Sequence, residues 1–366
     1  MGISSLLKVI VTVLMSTWLI ACDDGADTPA QVERAASTET VDTPQREFVA
    51  MSGGAKFSGD VVLGKKQGFG VYIWPNGDRY DGDWLNDTMS GVGKFVDGAG
   101  RVYDGQWKNG LYNGAGVYKW PSGSFYEGQF SNGLKNGQGT YTWADGRVYV
   151  GGFRSDRKNG DGTYQWPDGR KYTGQFVNDE RTGRGRLDSP GGQSYEGQFV
   201  NGVQQGLGKA TYSDGGVYEG RFSDDQRSGR GEMRWASGEL YSGQFAADAP
   251  NGNGIMQWPN GNRYEGFFVA GVMQGRGKYF FQDGRVYNGE FKRGERTGKG
   301  ALQWPTGEHY IGDFTSDIRE GQGTFSWPDG SKYVGSFSQS QLHGRGTCTA
   351  DGQTSSCRFD RGVRVE

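Results

Sequence analysis

The stretch YEGQFSNGLKNGQGTYTWADGRV, residues 126 to 148, recurs in near copies along most of this 366-residue chain. Its opening pattern, Y-x-G-x-aromatic, returns with a leading aromatic at Phe57, Tyr80, Tyr103, Tyr126, Tyr149, Tyr172, Tyr195, Tyr218, Tyr241, Tyr264, Tyr287, Tyr310 and Tyr333. Every step is 23 residues, and thirteen copies run from 57 to 355 without insertion or deletion. Self-similarity at a fixed period marks a repeat architecture, in which each unit buries its apolar face against its neighbours. The question of function is therefore a question about an array.

Counting the leading aromatic as zero, Gly stands at positions 2, 11 and 13 in all thirteen copies and at position 20 in all but the last, which accounts for 51 of the 67 glycines. An unpatterned glycine excess would suggest a flexible segment. Glycines that keep register instead describe a backbone requirement.

Tyr126, Gly128 and Phe130 alternate with Glu127 and Gln129, and Gly137, Gly139, Tyr141 and Trp143 alternate with Gln138, Thr140 and Thr142. Period 2 predicts strands, two per copy. Between them lie Trp-Pro-Asn-Gly at 74 to 77, Trp-Pro-Ser-Gly at 120 to 123 and Trp-Pro-Asp-Gly at 166 to 169 and 327 to 330. Pro presets φ and Gly accepts positive φ, which suits a type I turn with a G1 bulge. The other connection, such as 131 to 136, is expected to be longer. One face of this antiparallel meander is aromatic and glycine-rich, the other polar, with groups such as Glu127, Gln129, Arg184, Glu196, Gln198, Arg230 and Lys278. Strand glycine weakens a sheet unless something packs on it, so the glycines read as seats for rings. The expected fold is all-β: an elongated single-layer antiparallel meander of thirteen or fourteen 23-residue β-hairpin repeats, roughly 125 Å long at about 4.8 Å per strand.

YEGQF, NGLKNGQG and the closing DG resemble the MORN repeat, the membrane occupation and recognition nexus motif, over residues 57 to about 362. The resemblance implies an elongated sheet of successive hairpins and a role as scaffold, with dimerisation or phospholipid association in some members. Other members carry lipid-kinase or lysine-methyltransferase domains. Here the repeats run almost to the last residue of the sequence.

At the N-terminus a short charged start with Lys8 leads into an apolar run, Val9 to Ile20, too short to span a bilayer and suited to a secretory signal. It ends Leu19-Ile20-Ala21-Cys22, which looks like a bacterial lipobox: residues 1–21 are then a signal peptide and Cys22 carries the lipid. The competing reading is an ordinary signal with a stray cysteine. Several acyl chains would anchor the protein stably. Asp23 and Asp24 resemble the inner-membrane retention signal of some bacteria. Residues 22–52 carry a net charge of −5 and few large hydrophobes, and are expected to form a disordered tether. Residues 53–366 form the array, near +2. The expected location is the bacterial cell envelope, on the periplasmic side of either membrane or at the cell surface.

The copies differ. Trp stands at position 17 as Trp74, Trp120, Trp143, Trp166, Trp235, Trp258, Trp304 and Trp327, and is replaced by Asp97, Ser189, Tyr212 and Phe281 elsewhere. With Tyr80, Tyr103, Tyr126 and Tyr149 these Trp residues define the repeat aromatic face offered as a contact surface. The sixth copy, with Leu187, Asp188, Ser189 and Pro190, is the most altered; it reads either as a kink or as a drifted copy held by its neighbours. Three cysteines are present. With Cys22 lipidated, Cys348 and Cys357 remain, on strands that pair across a turn, and in an exported compartment they are expected to form a disulfide stapling the last edge. Two unpaired thiols are the alternative.

Signals for catalysis are thin. The two histidines, His309 and His343, lie in different copies, no Cys or carboxylate cluster has metal spacing, and no nucleophile elbow occurs. The paired glycines lack the third Gly and the helix of a phosphate loop. A near-neutral array argues against nucleic acid. No enzyme, cofactor or metal is expected. The favoured function is an envelope scaffold that binds protein partners or pairs with itself as a homodimer, tethered to the membrane through Cys22. The alternatives are direct contact of the repeats with phospholipid and glycan binding along an aromatic ladder.

Overall fold

The computed structural model describes residues 47–366. The expected signal segment 1–21, the expected lipidation site Cys22 and the expected tether as far as residue 46 lie outside the described residues.

Each copy is a hairpin of a seven-residue and a nine-residue strand, as in Phe125–Ser131 and Leu134–Thr142, except that the second strand of the thirteenth, Gln341–Ala350, has ten residues. Each strand pairs antiparallel with the next, so that 29 strands form one open sheet. The Trp-Pro turns close as their sequence predicts: Gly123 N–H donates to Trp120 O (3.0 Å), Trp120 N–H donates to Ser124 O (2.9 Å), and Gly123 sits at φ 93°. The second connection corrects the sequence expectation. It is a two-residue turn, Asn132 and Gly133, with φ of 50° and 82°, the backbone of a type I′ hairpin. The residues assigned to a longer loop are instead the start of the second strand, which is bulged opposite Gly128 and Phe130. Because the bulge shifts the alternation, position 9 returns to the aromatic face.

The altered sixth copy keeps register, with Lys171 opposite Asp188 and Tyr172 opposite Leu187, and its turn closes through Ser189 N–H to Gln193 O (2.8 Å). It is a drifted copy and not a kink.

The glycines at positions 2 and 13 face one another across every strand boundary, as in Gly116–Gly128–Gly139–Gly151. They form a ladder through the whole sheet, and the leading ring of each copy lies on it. A Cβ on Gly128 would stand 2.5 Å from Tyr126 Oη and 2.5 Å from Gly139 Cα. Tyr126 is fully buried and its hydroxyl donates to Gln129 O (3.0 Å). Its edge meets Phe130 within the copy (5.1 Å, 89°) and Phe153 of the next (5.0 Å, 81°). The same pair of contacts continues to Tyr333, Phe337 and Phe359. Edge-to-face packing of this kind places the positive ring edge over the negative ring face, so one aromatic zipper joins all copies.

Both ends are closed. Val49–Ala50 pairs with Lys56 and Phe57, and Ala55 is buried. The array therefore takes in residues that the sequence reading gave to the tether, whose boundary at 52 moves back to about 48, because Met51 and Ala55 pack at the core edge. At the other end Cys348 and Cys357 are disulfide-bonded, their Cα atoms 5.9 Å apart. Cys357 occupies the glycine ladder, opposite Gly346. A side chain fits there because Ser355, two residues earlier, stands where every full copy has its ring. The cap exchanges Tyr and Gly for Ser and Cys.

Gly128→Ala is expected to destabilise the array by about 3 kcal/mol through overpacking against Tyr126, as measured by urea unfolding; a change within a few tenths of a kcal/mol would contradict the ring-seat account. Burial pushes the hydroxyls of Tyr126, Tyr172, Tyr195, Tyr218, Tyr241, Tyr264, Tyr287 and Tyr310 up to about 12. Each raised value favours the neutral folded form, so its stability is whole below pH 10, the ordinary tyrosine value, and drains as pH rises toward 12. Tyrosinate absorbance and the loss of β-sheet circular dichroism are therefore expected to rise together in that window. Ionisation that runs ahead of unfolding would refute the coupling.

Candidate functional site

The two faces of the sheet differ in what they offer. On the aromatic face Tyr80, Tyr126 and Tyr149 are 0% exposed and Tyr103 1%. They are core, sealed between glycine ladder and neighbouring rings, and the contact role expected of them is corrected: no partner reaches them. Trp120, Trp143, Trp166, Trp235, Trp258, Trp304 and Trp327 are half-buried. They line the margin beside the Trp-Pro turns, and each is packed on the core.

Cations also occupy the aromatic face, at a position that the sequence reading had placed in the longer connection. Lys135, at position 9, sits in a cage of Trp120, Tyr126, Tyr141 and Phe153, with Nζ 4.8 to 5.9 Å from the ring centroids. Lys66, Lys158, Arg181, Arg227, Arg296 and Arg319 take the same place in their copies. Rings attract cations through their faces, and a caged cation sheds water. Burial accordingly holds the ammonium groups of Lys135 and Lys158 and the guanidinium groups of Arg181 and Arg319 below their usual range.

An acidic partner comes from the next copy. Asp156 ends the following tight turn, its N–H donates to Lys135 O (3.0 Å), and its carboxylate accepts from Lys135 N–H (2.9 Å). The same reciprocal clasp joins Lys66 to Asp87, Lys158 to Asp179, Arg227 to Asp248 and Arg296 to Asp317. Where the turn ends in Gly, position 9 is Met89, Tyr112, Pro250, Met273 or Leu342, with Arg181 the exception. The signal was present in the sequence as a cation and an Asp 21 residues apart.

The polar face is a trough. Between the column of positions 1 and 14 and the column of positions 3 and 12 runs the backbone of the glycine ladder, and from Thr173 to Gly266 this forms an open groove of about 1,730 Å³. Arg184, Arg186, Lys209 and Arg230 share its walls with Glu196, Glu219, Glu232 and Glu265. Arg186 pairs with Glu196 (3.2 Å) and with Asp188 (2.8 Å). In the first five copies the same columns carry Asp60, Asp81, Asp83, Asp104, Glu127 and Asp161 against Lys94, so charge along this face is segregated. Among the described residues no group of three or more His, Cys, Asp or Glu is placed to hold a metal. His309 and His343 stay apart in different strands, His343 lying 3.6 Å from Asp360.

The MORN repeat pattern matches thirteen times in succession, from 57–79 through 126–146 to 333–354. The chain belongs to the MORN-repeat family. No curated protein matches this MORN array over its sequence. Among solved structures, it is similar to the SAS-4 TCP domain of Drosophila melanogaster, in complex with a proline-rich motif of Ana2, at 15% identity over 42% of this chain and 85% of that one, with a TM-score of 0.29. The TCP10 domain of Danio rerio CPAP, in complex with a STIL peptide, matches at 14% identity over 74% and 99%, with a TM-score of 0.19. A streptogramin B lyase matches at 12% identity over 84% and 88%, with a TM-score of 0.13. At such TM-scores these likenesses carry no argument.

Asp156→Gly alone is expected to cost about 1 kcal/mol, the worth of a lost side-chain acceptor. Combined with Lys135→Met it copies the Met89–Gly110 and Met273–Gly294 arrangement, and a double-mutant cycle is expected to recover about half of the summed cost. Strict additivity in the thermal melts would show that clasp and cage act independently.

Proposed function

We propose that this MORN array is a non-catalytic scaffold that holds one or more protein partners, anchored to a bacterial envelope membrane through lipidated Cys22. The observation that supports this reading is the polar trough: a long, exposed, mixed-charge surface on a rigid sheet, open along its length. An extended partner can lie along such a surface and be read by columns of side chains spaced at the strand interval. Half-buried Trp side chains at the turn margin add a second contact strip, and aromatic residues with arginines are what protein interfaces favour.

Direct adsorption of the aromatic face to lipid draws no support from the geometry, because the Tyr rings are buried and the cages already hold the chain's own cations. A carbohydrate ladder is disfavoured in the same way: Lys135 covers Trp120, Arg147 covers Trp143, Arg170 covers Trp166 and Arg319 covers Trp304.

In cells, Cys22→Ser is expected to move the protein from the membrane to the soluble fraction, as followed by fractionation and blotting. A photo-crosslinking residue in place of Leu207, inside the trough and 63% exposed, is expected to give discrete protein adducts. The same residue in place of Asp224, at a tight turn, is expected to give none. Equal labelling at both positions would reject the trough as the partner surface.

A further inference from the structure

The repeats supply their own control for one position in the trough. At the bulge of several hairpins the backbone N–H of position 12 is bonded to the side chain of position 3. In five copies that side chain supplies an oxygen: Val92 N–H donates to Asp83 (2.9 Å), Ala115 N–H to Gln106 (3.1 Å), Gln138 N–H to Gln129 (3.0 Å), Asn253 N–H to Gln244 (3.0 Å) and Gln322 N–H to Asp313 (2.9 Å). In the eighth copy position 3 is Arg221 and position 12 is Arg230. Arginine has no oxygen to offer.

The Arg221 stem still lies across the bulge glycine, as the glutamines do elsewhere. Its Cδ is 3.1 Å from where a Gly229 Cβ would stand. Arg221 and Arg230 are both exposed, and among the described residues neither has a carboxylate within ion-pairing distance. Their cross-strand neighbours are Leu207 and Gln244, neither of them acidic. Across the trough stand Glu219 and Glu232, opposite one another, and Glu219 is engaged by Lys209 at 4.0 Å.

Two other copies lack an acceptor at position 3, and neither resembles this one. Gly152 is accompanied by Asp161, a carboxylate that repels anions. Phe267 is accompanied by a single arginine, Arg276, which faces Glu290.

We propose that the hairpin of strands Val217–Ser223 and Gln226–Arg234 is an oxyanion site, in which a carboxylate or phosphate oxygen takes the place of the missing side-chain oxygen at the Arg230 N–H. The Arg221 and Arg230 guanidinium groups hold the remaining oxygens. Paired guanidinium donors and a backbone N–H match the geometry of a group with two or more free oxygens. Glu219 and Glu232 on the far wall keep extended anionic polymers from lying flat there and confine the site to a single anionic group. The site does not depend on the scaffold reading, although an acidic side chain of a bound partner would be one source of its ligand.

The test uses the full chain, labelled with nitrogen-15, and two probes: inorganic phosphate and an acetylated, amidated peptide bearing one glutamate. The Arg230 amide is expected to shift with at least one probe, to saturate, and to respond less at high salt. The probe that saturates at the lower concentration names the source. Arg221→Gln installs the residue found at Gln106, Gln129 and Gln244 and is expected to fold normally. It is expected to weaken the response about tenfold or more, since it removes a charged donor and supplies an internal oxygen. An Arg230 amide indifferent to both probes, or an unchanged titration in a folded Arg221→Gln chain, would overturn the proposal.

Discussion

A tyrosine ring can lie flat on a β-sheet only where the backbone beneath it carries no Cβ. That constraint organises the whole molecule. It sets Gly at positions 2 and 13, aligns those glycines across every strand boundary, and fixes Tyr126 and its equivalents over them. Because the ring seats leave the rings edge-on to the next copy, one requirement supplies both the core and the connection between copies. A sheet without a second layer can then exclude water from one face. The C-terminal cap obeys the same constraint in reverse: a side chain enters the ladder at Cys357 once the ring is gone at Ser355.

Much of this was legible in the chain. The period, the strands, the Trp-Pro turns and the ring seats follow from spacing alone, because a fixed register with Gly two residues after Tyr has few physical readings. The tight turn at Asn132 and Gly133 was overlooked. Its length depends on a bulge, whose trace in the sequence is the Gly that recurs at position 11 and takes positive φ, 105° at Gly137; neither that glycine nor the Asn-Gly pair was read as a turn signal. The place of Lys135 was missed for the same reason: it fell within the connection expected from 131 to 136, whereas it stands in the second strand and the bulge turns it onto the rings. Burial also separates two residue types that the sequence grouped together. Tyr126 and Trp143 fall on one face by alternation, but only Trp143, at the strand end, stays half open.

The functional surfaces follow from this division. The aromatic side satisfies itself, down to cations held over its rings and clasped by Asp from the following copy. What remains free to meet another molecule is the opposite side, where positions 1, 3, 12 and 14 lie outside the aromatic packing and have diverged between copies. Variation there is visible within a single chain, in the acidic early copies and in the arginines of the eighth. Positions that every copy needs for its core stayed uniform, while those outside that core became individual.

Since each hairpin is bonded only to the hairpins before and after it, chain length is nearly a free parameter. Duplication or loss of one 23-residue block would lengthen or shorten the structure without disturbing its interior. Only the two terminal closures must be preserved through such a change. Recombination between blocks thus offers a way to reset the distance over which surface positions are displayed, and the number of them, in single discrete steps.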